Sequence, residues 1–235
     1  MKHPMYLLFI VTGLLMVSAI VLALGVAPDP VNLATPTERF AQRIFYFHVP
    51  NWWVGFLAYL VAAVAGALYL VSRQERWDAI EVSSIEVGLT FNTIGLVSGS
   101  IWAKPTWNTW WTWEPRLTTA AIGWLMYVGY LMLRSAIENP QRRARFAAVF
   151  SILAFLDVPI IFLAIRWWRT IHPVVIGSEA GQGVGGFALG PTIQLVFFFC
   201  LGAFTLLYVT LMLVRLRTEF LSQRVERLRQ HLMFR

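Results

Sequence analysis

The chain has 235 residues, of which 58% are hydrophobic and only 13% charged. A water-soluble domain of this length needs far more charge on its surface, so the composition excludes one and points to a chain solvated by lipid. The formal charge is +7, but no nucleic-acid motif accompanies it.

The apolar residues come in blocks of about 20, the length a helix needs to cross roughly 30 Å of hydrocarbon. Backbone groups in lipid must be bonded within their own segment, so the blocks predict an all-α, polytopic fold rather than strands. Six transmembrane helices are expected near Met5–Gly25, Trp52–Ser72, Val82–Ile101, Leu117–Arg134, Ala147–Ile165 and Thr192–Val214. The first block follows Lys2 and could be a secretory signal, but its apolar stretch is longer than a signal core, which favours a retained anchor. No internal repeat and no separate soluble domain is visible, so residues 1–235 read as one membrane domain.

Topology follows from charge. With both termini cytoplasmic, the inner segments hold 13 of the 19 Lys and Arg residues, including Arg142, Arg143, Arg145 and the run from Arg215 to Arg235, and the outer ones hold the other six. This is the positive-inside pattern, and anionic headgroups would attract the inner charge. Residues 26–51, 102–116 and 166–191 then form the outer segments. Glu86 and Asp157 lie within spans and should face the bundle interior or a partner subunit. Asp157, two residues before Pro159, could also bond backbone groups freed at a kink. The stretch Gly177–Gly190 reads as an outer loop. Leu216–Leu232 sets apolar residues at helical spacing among arginines, as an amphipathic helix would on the inner surface or against a cytoplasmic ATPase.

Several chemistries are excluded. The single cysteine, Cys200, falls in the last span, so there is no disulfide, no C-x-x-C redox pair and no C-x-x-C-H haem attachment site. No phosphate-loop motif occurs, so any ATP hydrolysis belongs to another chain.

The second outer segment carries four tryptophans within seven residues: Trp107, Trp110, Trp111 and Trp113. Indoles favour the membrane interface, and an aromatic belt is the plain reading. Were Pro105 to start a short helix, Trp107, Trp110 and Trp111 would share one face and form a platform for a large, flat, apolar ligand, with Trp113 pointing elsewhere. Of the four histidines, His3 and His231 lie near the termini. His48 and His172 lie in the outer segments on either side of the tryptophans, each with a Trp pair nearby and a proline one or two residues after it. Either alone reads as a polar tip at a wet boundary. Together with the platform they point to two imidazoles gripping the metal of a flat macrocycle, as haem iron is commonly held. A bare zinc site would want three or four ligands. Arg116, Arg166 and Arg169 stand near these positions, as headgroup contacts or as partners for carboxylates, and Arg116 is the favoured carboxylate partner.

The segment Trp107-Asn-Thr-Trp110-Trp111-Thr-Trp113-Glu114-Pro-Arg116-Leu-Thr118 resembles the signature W-G-x-W-W-x-W-D-x-R-L-T of the WWD-motif haem-handling proteins of cytochrome c biogenesis. With six spans and one histidine in each flanking outer segment, nearly the whole chain resembles CcmC, the haem exporter C family. Asn108 stands where the family has Gly, and Asn tolerates left-handed backbone angles. Glu114 stands where it has Asp and keeps the charge. The resemblance implies haem b bound transiently at the outer face of the bacterial inner membrane, with His48 and His172 as axial ligands of the metal. Trp107, Trp110, Trp111, Trp113, Glu114 and Arg116 would complete the binding site. It further implies transfer to the periplasmic haem chaperone CcmE, released with the help of the ABC transporter subunits CcmA and CcmB and the small membrane protein CcmD. Such a chain is an assembly factor rather than an enzyme. A b-type cytochrome or quinone-reacting subunit would place His in mid-span, and none lies there. A permease would instead use Glu86 and Asp157.

Overall fold

The computed structural model describes residues 3–29, 35–168, 170–172 and 190–233. Arg169 and most of the Gly177–Gly190 stretch lie outside the described residues, as do Lys2, Arg235 and the side chain of His231. All regular structure among the described residues is helical. The helices are α1 (His3–Val21), α2 (Pro36–Ala41), α3 (Phe45–Ser72), α4 (Glu75–Trp107), α5 (Pro115–Ala136), α6 (Pro140–Phe155), α7 (Asp157–Trp167) and α8 (Pro191–Met233). A π-helical turn, Leu22–Val26, ends α1, and a 3-10 turn, Gln42–Ile44, joins α2 to α3.

Five of these stretches are long and apolar enough to cross a membrane. The sixth, α5, spans 22 residues, about 33 Å at the α-helical rise; Trp124, Tyr127 and Tyr130 dilute its apolar character. The chain is therefore a multi-pass membrane protein, as its composition predicts.

Several boundaries differ from those expected. α3 starts at Phe45, so His48 sits on a helix rather than in the segment before one. α4 starts at Glu75 and ends at Trp107, taking in residues assigned to both flanking loops. The fifth span is two helices, broken at Leu156. There Asp157 is buried against Gly123 of α5, and its Oδ2 has no hydrogen-bond partner among the described residues. The last span and the amphipathic stretch after it are one uninterrupted helix, α8.

Local chemistry sets the helix ends. Thr35 accepts from the Glu38 N–H at 3.2 Å, and Glu38 accepts from the Thr35 N–H at 3.1 Å, a capping box before Pro36. Asn139 caps α6 at Arg142 N–H, 2.9 Å, with Pro140 in the first turn. Arg73 closes α3 in the left-handed conformation, φ 57°. Arg43 reaches back to donate to the carbonyls of Ala23 and Leu24 at the end of α1 and pairs with Asp29.

α3 is central and packs on α4, α6 and α8, while α5 packs on α6 and α7. The buried surfaces are rich in small residues: Ala58, Ala62 and Ala65 on α3, and Ala144, Ala147, Ala148 and Ala154 on α6. In lipid, helices gain little from hydrophobic burial and associate through close van der Waals packing, which small side chains permit. Tyr59 of α3 and Tyr127 of α5 stack with ring centroids 3.4 Å apart. α1 lies along α8, with Ala19 and Ala23 against Val196 and Cys200, and Thr12 bonds to Thr210 at 2.8 Å.

Charges within the bundle are mostly paired. Arg134 of α5 forks onto Asp78 of α4 at 2.5 and 3.1 Å, both side chains being nearly inaccessible. Glu86 faces Arg215 of α8, which also holds Glu219 at 3.0 Å. Glu86 thus has an intrachain partner instead of lining an open pathway. Removing one member of a buried pair strands the other charge. Arg134→Leu should cost about 3–5 kcal/mol and Asp78→Leu/Arg134→Leu should recover most of it, as read by equilibrium unfolding in detergent.

Candidate functional site

At the end of the bundle opposite the Asp78–Arg134 pair lies a cavity with ≈ 590 Å³ of empty space, counting its open mouth. Its walls come from α3, α4, α5 and α7 and from two non-helical stretches, and both His48 and His172 line it, although they are distant in sequence. Trp107, Trp110, Trp111 and Arg116 line it as well. Trp113 and Glu114 do not.

His48 is held by its helix neighbours. Its Nδ1 lies 3.1 Å from Ser98 Oγ, and Ser98 Oγ lies 3.1 Å from the Gly95 carbonyl. The carbonyl can only accept, so the single hydroxyl proton goes to it. Ser98 Oγ then accepts the Nδ1–H of His48, which leaves the lone pair of the other ring nitrogen, Nε2, for a ligand. Space for the ring comes from Gly99, where a Cβ would stand 2.9 Å from His48 Cε1. One turn away, Gly95 does the same for Trp52, where a Cβ would meet the indole nitrogen at 2.9 Å.

The tryptophans do not share one helical face. Pro105 lies inside the last turns of α4, so Trp107 ends that helix instead of beginning a new one. Asn108 then turns the chain in the left-handed conformation, φ 57°, as the residue type allows, and Lys104 donates to its carbonyl and side-chain oxygen at 3.2 and 3.3 Å. Trp110 and Trp111 follow in the non-helical stretch before α5. The three rings still reach one cavity because the turn, not helical periodicity, brings them there. Trp107 meets Trp102 edge-on at 5.0 Å and His172 at 6.1 Å. Trp102 is anchored by donating to Gln42 Oε1 at 3.2 Å. Trp113 is exposed and meets Trp111 edge-on at 5.8 Å.

Glu114 serves the cavity indirectly. One carboxylate oxygen accepts the Leu117 N–H at 3.1 Å, capping α5, whose first residue is Pro115. The other accepts from the Thr170 hydroxyl, and the His172 N–H donates to that same hydroxyl at 3.0 Å. One side chain thereby ties the start of α5 to the stretch that carries His172. Burial raises its carboxyl above the usual range, an effect opposed by the Leu117 N–H and by the positive charge of Arg116. Arg166 is exposed at the end of α7 and does not line the cavity.

The lining suits a flat aromatic ligand bearing acidic groups and a metal. Two imidazoles, five indoles and a guanidinium face one space, and the Trp111 indole N–H is buried without a hydrogen-bond partner among the described residues. Buried donors are rarely left unpaired, so this one fits a polar group of a bound molecule. Ser98, Gly99, Trp52 and Trp102 were not legible as site residues from the tryptophan run alone; the small-residue spacing of Gly95 and Gly99 on a span is the signal that marks where α3 comes closest.

A family model described as heme exporter protein C matches residues 2–231. The chain is 33% identical to the heme exporter protein C of Bradyrhizobium diazoefficiens over 90% of this chain and 79% of that protein. It is 32% identical to that of Escherichia coli strain K12, over 77% of this chain and 71% of the relative. A mitochondrial protein of Marchantia polymorpha, described as a putative cytochrome c biosynthesis ccmC-like protein, is 30% identical over 80% of this chain and 79% of its own length.

Glu114→Ala should remove both attachments. Loss of the cap costs about 1 kcal/mol, and hydrogen exchange should quicken at the amides of Leu117 and His172, while Glu114→Asp keeps the Leu117 amide protected. Unchanged exchange at both amides in Glu114→Ala would show that the carboxylate holds neither.

Proposed function

Because the chain belongs to the heme exporter protein C family, we propose that it holds haem b between His48 and His172 at the outer face of the bacterial inner membrane and presents it to the periplasmic chaperone CcmE for covalent attachment. The observation that carries this reading is the meeting of the two histidines in one cavity walled by Trp107, Trp110 and Trp111.

In this reading the haem is cargo, contributing an iron with two axial positions and a vinyl edge for attachment. The chain's own residues position it. His48, with Nδ1–H directed to Ser98, offers Nε2 to the iron from a fixed helix. His172 would supply the second imidazole from the stretch tied to Glu114. The indoles cover the macrocycle with broad apolar contact at little entropic cost. Arg116 and the Trp111 N–H take the propionates, for which guanidinium geometry is suited. Trp113, exposed beside Trp111, is available at the rim to the incoming chaperone. Positioning is the protein's contribution, and the reactive bond belongs to the cargo and its recipient.

CcmA, CcmB and CcmD complete the proposed assembly. Energy for release of the loaded chaperone comes from another chain, since no phosphate-binding loop occurs in this one. Both termini lie in the cytoplasm in this reading, which the excess of Lys and Arg on those segments supports under the positive-inside rule. A permease reading loses support from Glu86, which is engaged by Arg215.

The purified protein should show low-spin haem absorption. His48→Ala or His172→Ala should abolish or shift these bands, and unchanged spectra in both variants would return the permease reading to the front. Trp110→Ala/Trp111→Ala should lower haem retention with the melting temperature unchanged. Gly99→Val, which drives a branched side chain into His48, should lose the bands as His48→Ala does while the bundle stays folded by circular dichroism.

A further inference from the structure

α8 runs for 43 residues without interruption, about 65 Å at the α-helical rise, roughly twice the ~30 Å of a bilayer core. Its final residues therefore leave the bundle at the end opposite the histidine cavity. Along this extension Leu221, Val225, Leu228 and Leu232 are 60%, 64%, 64% and 77% exposed. Their spacing of four, three and four residues is that of a heptad seam, with Leu221 and Leu228 at d and Val225 and Leu232 at a. The opposite side of the helix faces the bundle: Glu219 bonds Arg215 and, with Gln223, lines a polar cavity shared with Glu75, Asp78 and Arg143. The seam is thus turned outward, and Arg217, Arg224 and Arg229 are exposed along its flanks.

Three occupants are possible for such a face, and the observations separate them. A lipid surface requires the helix to lie flat. No glycine or proline follows Gly202, and a sharp bend at the membrane boundary needs such a residue or an insertion into the hydrogen-bond ladder. A second copy places Arg224, at g, against Arg229, at e, in a parallel pair, and sets like positions against each other in an antiparallel one, so arginine meets arginine either way. A helix with an apolar seam and acidic flanks meets both the stripe and the charge.

We infer that the extension of α8 beyond Val214 is a docking helix for an acidic, heptad-patterned helical segment of a different protein on the basic side of the membrane. This is independent of the haem reading, since none of these residues approaches the cavity.

The test uses the full chain in phosphatidylcholine nanodiscs and two labelled synthetic heptad peptides, one with Glu and one with Lys at the e and g positions, followed by fluorescence anisotropy. The Glu peptide should bind saturably and the Lys peptide should not. Leu221→Asp/Leu228→Asp should weaken the Glu peptide by roughly tenfold or more. Arg224→Glu/Arg229→Glu, which leaves the seam intact, should reverse the preference toward the Lys peptide, a gain that misfolding cannot mimic. Equal binding of the two peptides, or none, overturns the proposal. Disulfide-linked pairs of Val225→Cys chains without peptide would overturn it in favour of a second copy. Burial of a label at Val225→Cys on adding phosphatidylglycerol would overturn it in favour of lipid.

Discussion

The closeness of α3 and α4 governs everything built at the histidine end of the bundle. Gly88 faces Ala58, Gly95 faces Trp52, and Gly99 faces His48, so at these three positions α4 presents no side chain to α3. From α3, Gly55 returns the favour to Asn92. Helices in lipid associate by such contact, there being no water to expel between them. The same contact fixes His48: its ring lies over a glycine, its Nδ1 is set by a serine one residue earlier, and its backbone is helical on both sides. A side chain embedded in this way is held in one geometry by its supports.

Electrostatics divide the bundle into two ends. At the basic end, Asp78, Arg134, Glu86, Arg215 and Glu219 form paired networks between α4, α5 and α8. Such pairs fix register between helices as much as they add stability, because a misaligned helix would strand a charge. At the other end Arg43 pairs with Asp29, Lys104 bonds Asn108, and Arg116 lines the cavity. Between the two ends Glu81 is fully buried, and neither carboxylate oxygen has a hydrogen-bond partner among the described residues.

Much of the fold was written in hydrophobicity. Blocks of bilayer length gave the all-helical class and the order of the long apolar stretches, though not the break at Leu156 or the short α2, because the constraint acting on them, satisfaction of backbone groups in lipid, is read directly from composition. Helix ends were not legible in the same way. α3 begins seven residues before Trp52 and α4 begins seven before Val82, since helices continue past hydrocarbon wherever the protein supplies bonding and packing. That His48 and His172 line one cavity was not legible as geometry, because what brings their segments together is a turn at Asn108 and the bonds of Glu114. The acid of the tryptophan motif illustrates the limit. Sequence reading placed Glu114 with the ligand-binding groups; its position immediately before Pro115 was the signal for a helix cap. The arginines divided similarly: Arg116 lines the cavity, whereas Arg166 is turned to the surface.

The two histidines are mounted on unlike supports. His48 rides on a long helix gripped on three sides, whereas His172 belongs to a stretch outside any helix, where its N–H donates to Thr170, itself bonded to Glu114, and its ring meets Trp107 edge-on. Separation of Thr170 from Glu114 would leave the Leu117 cap and the glycine-lined seat of His48 untouched, so change on the His172 side of the cavity need not disturb how any helix crosses the membrane.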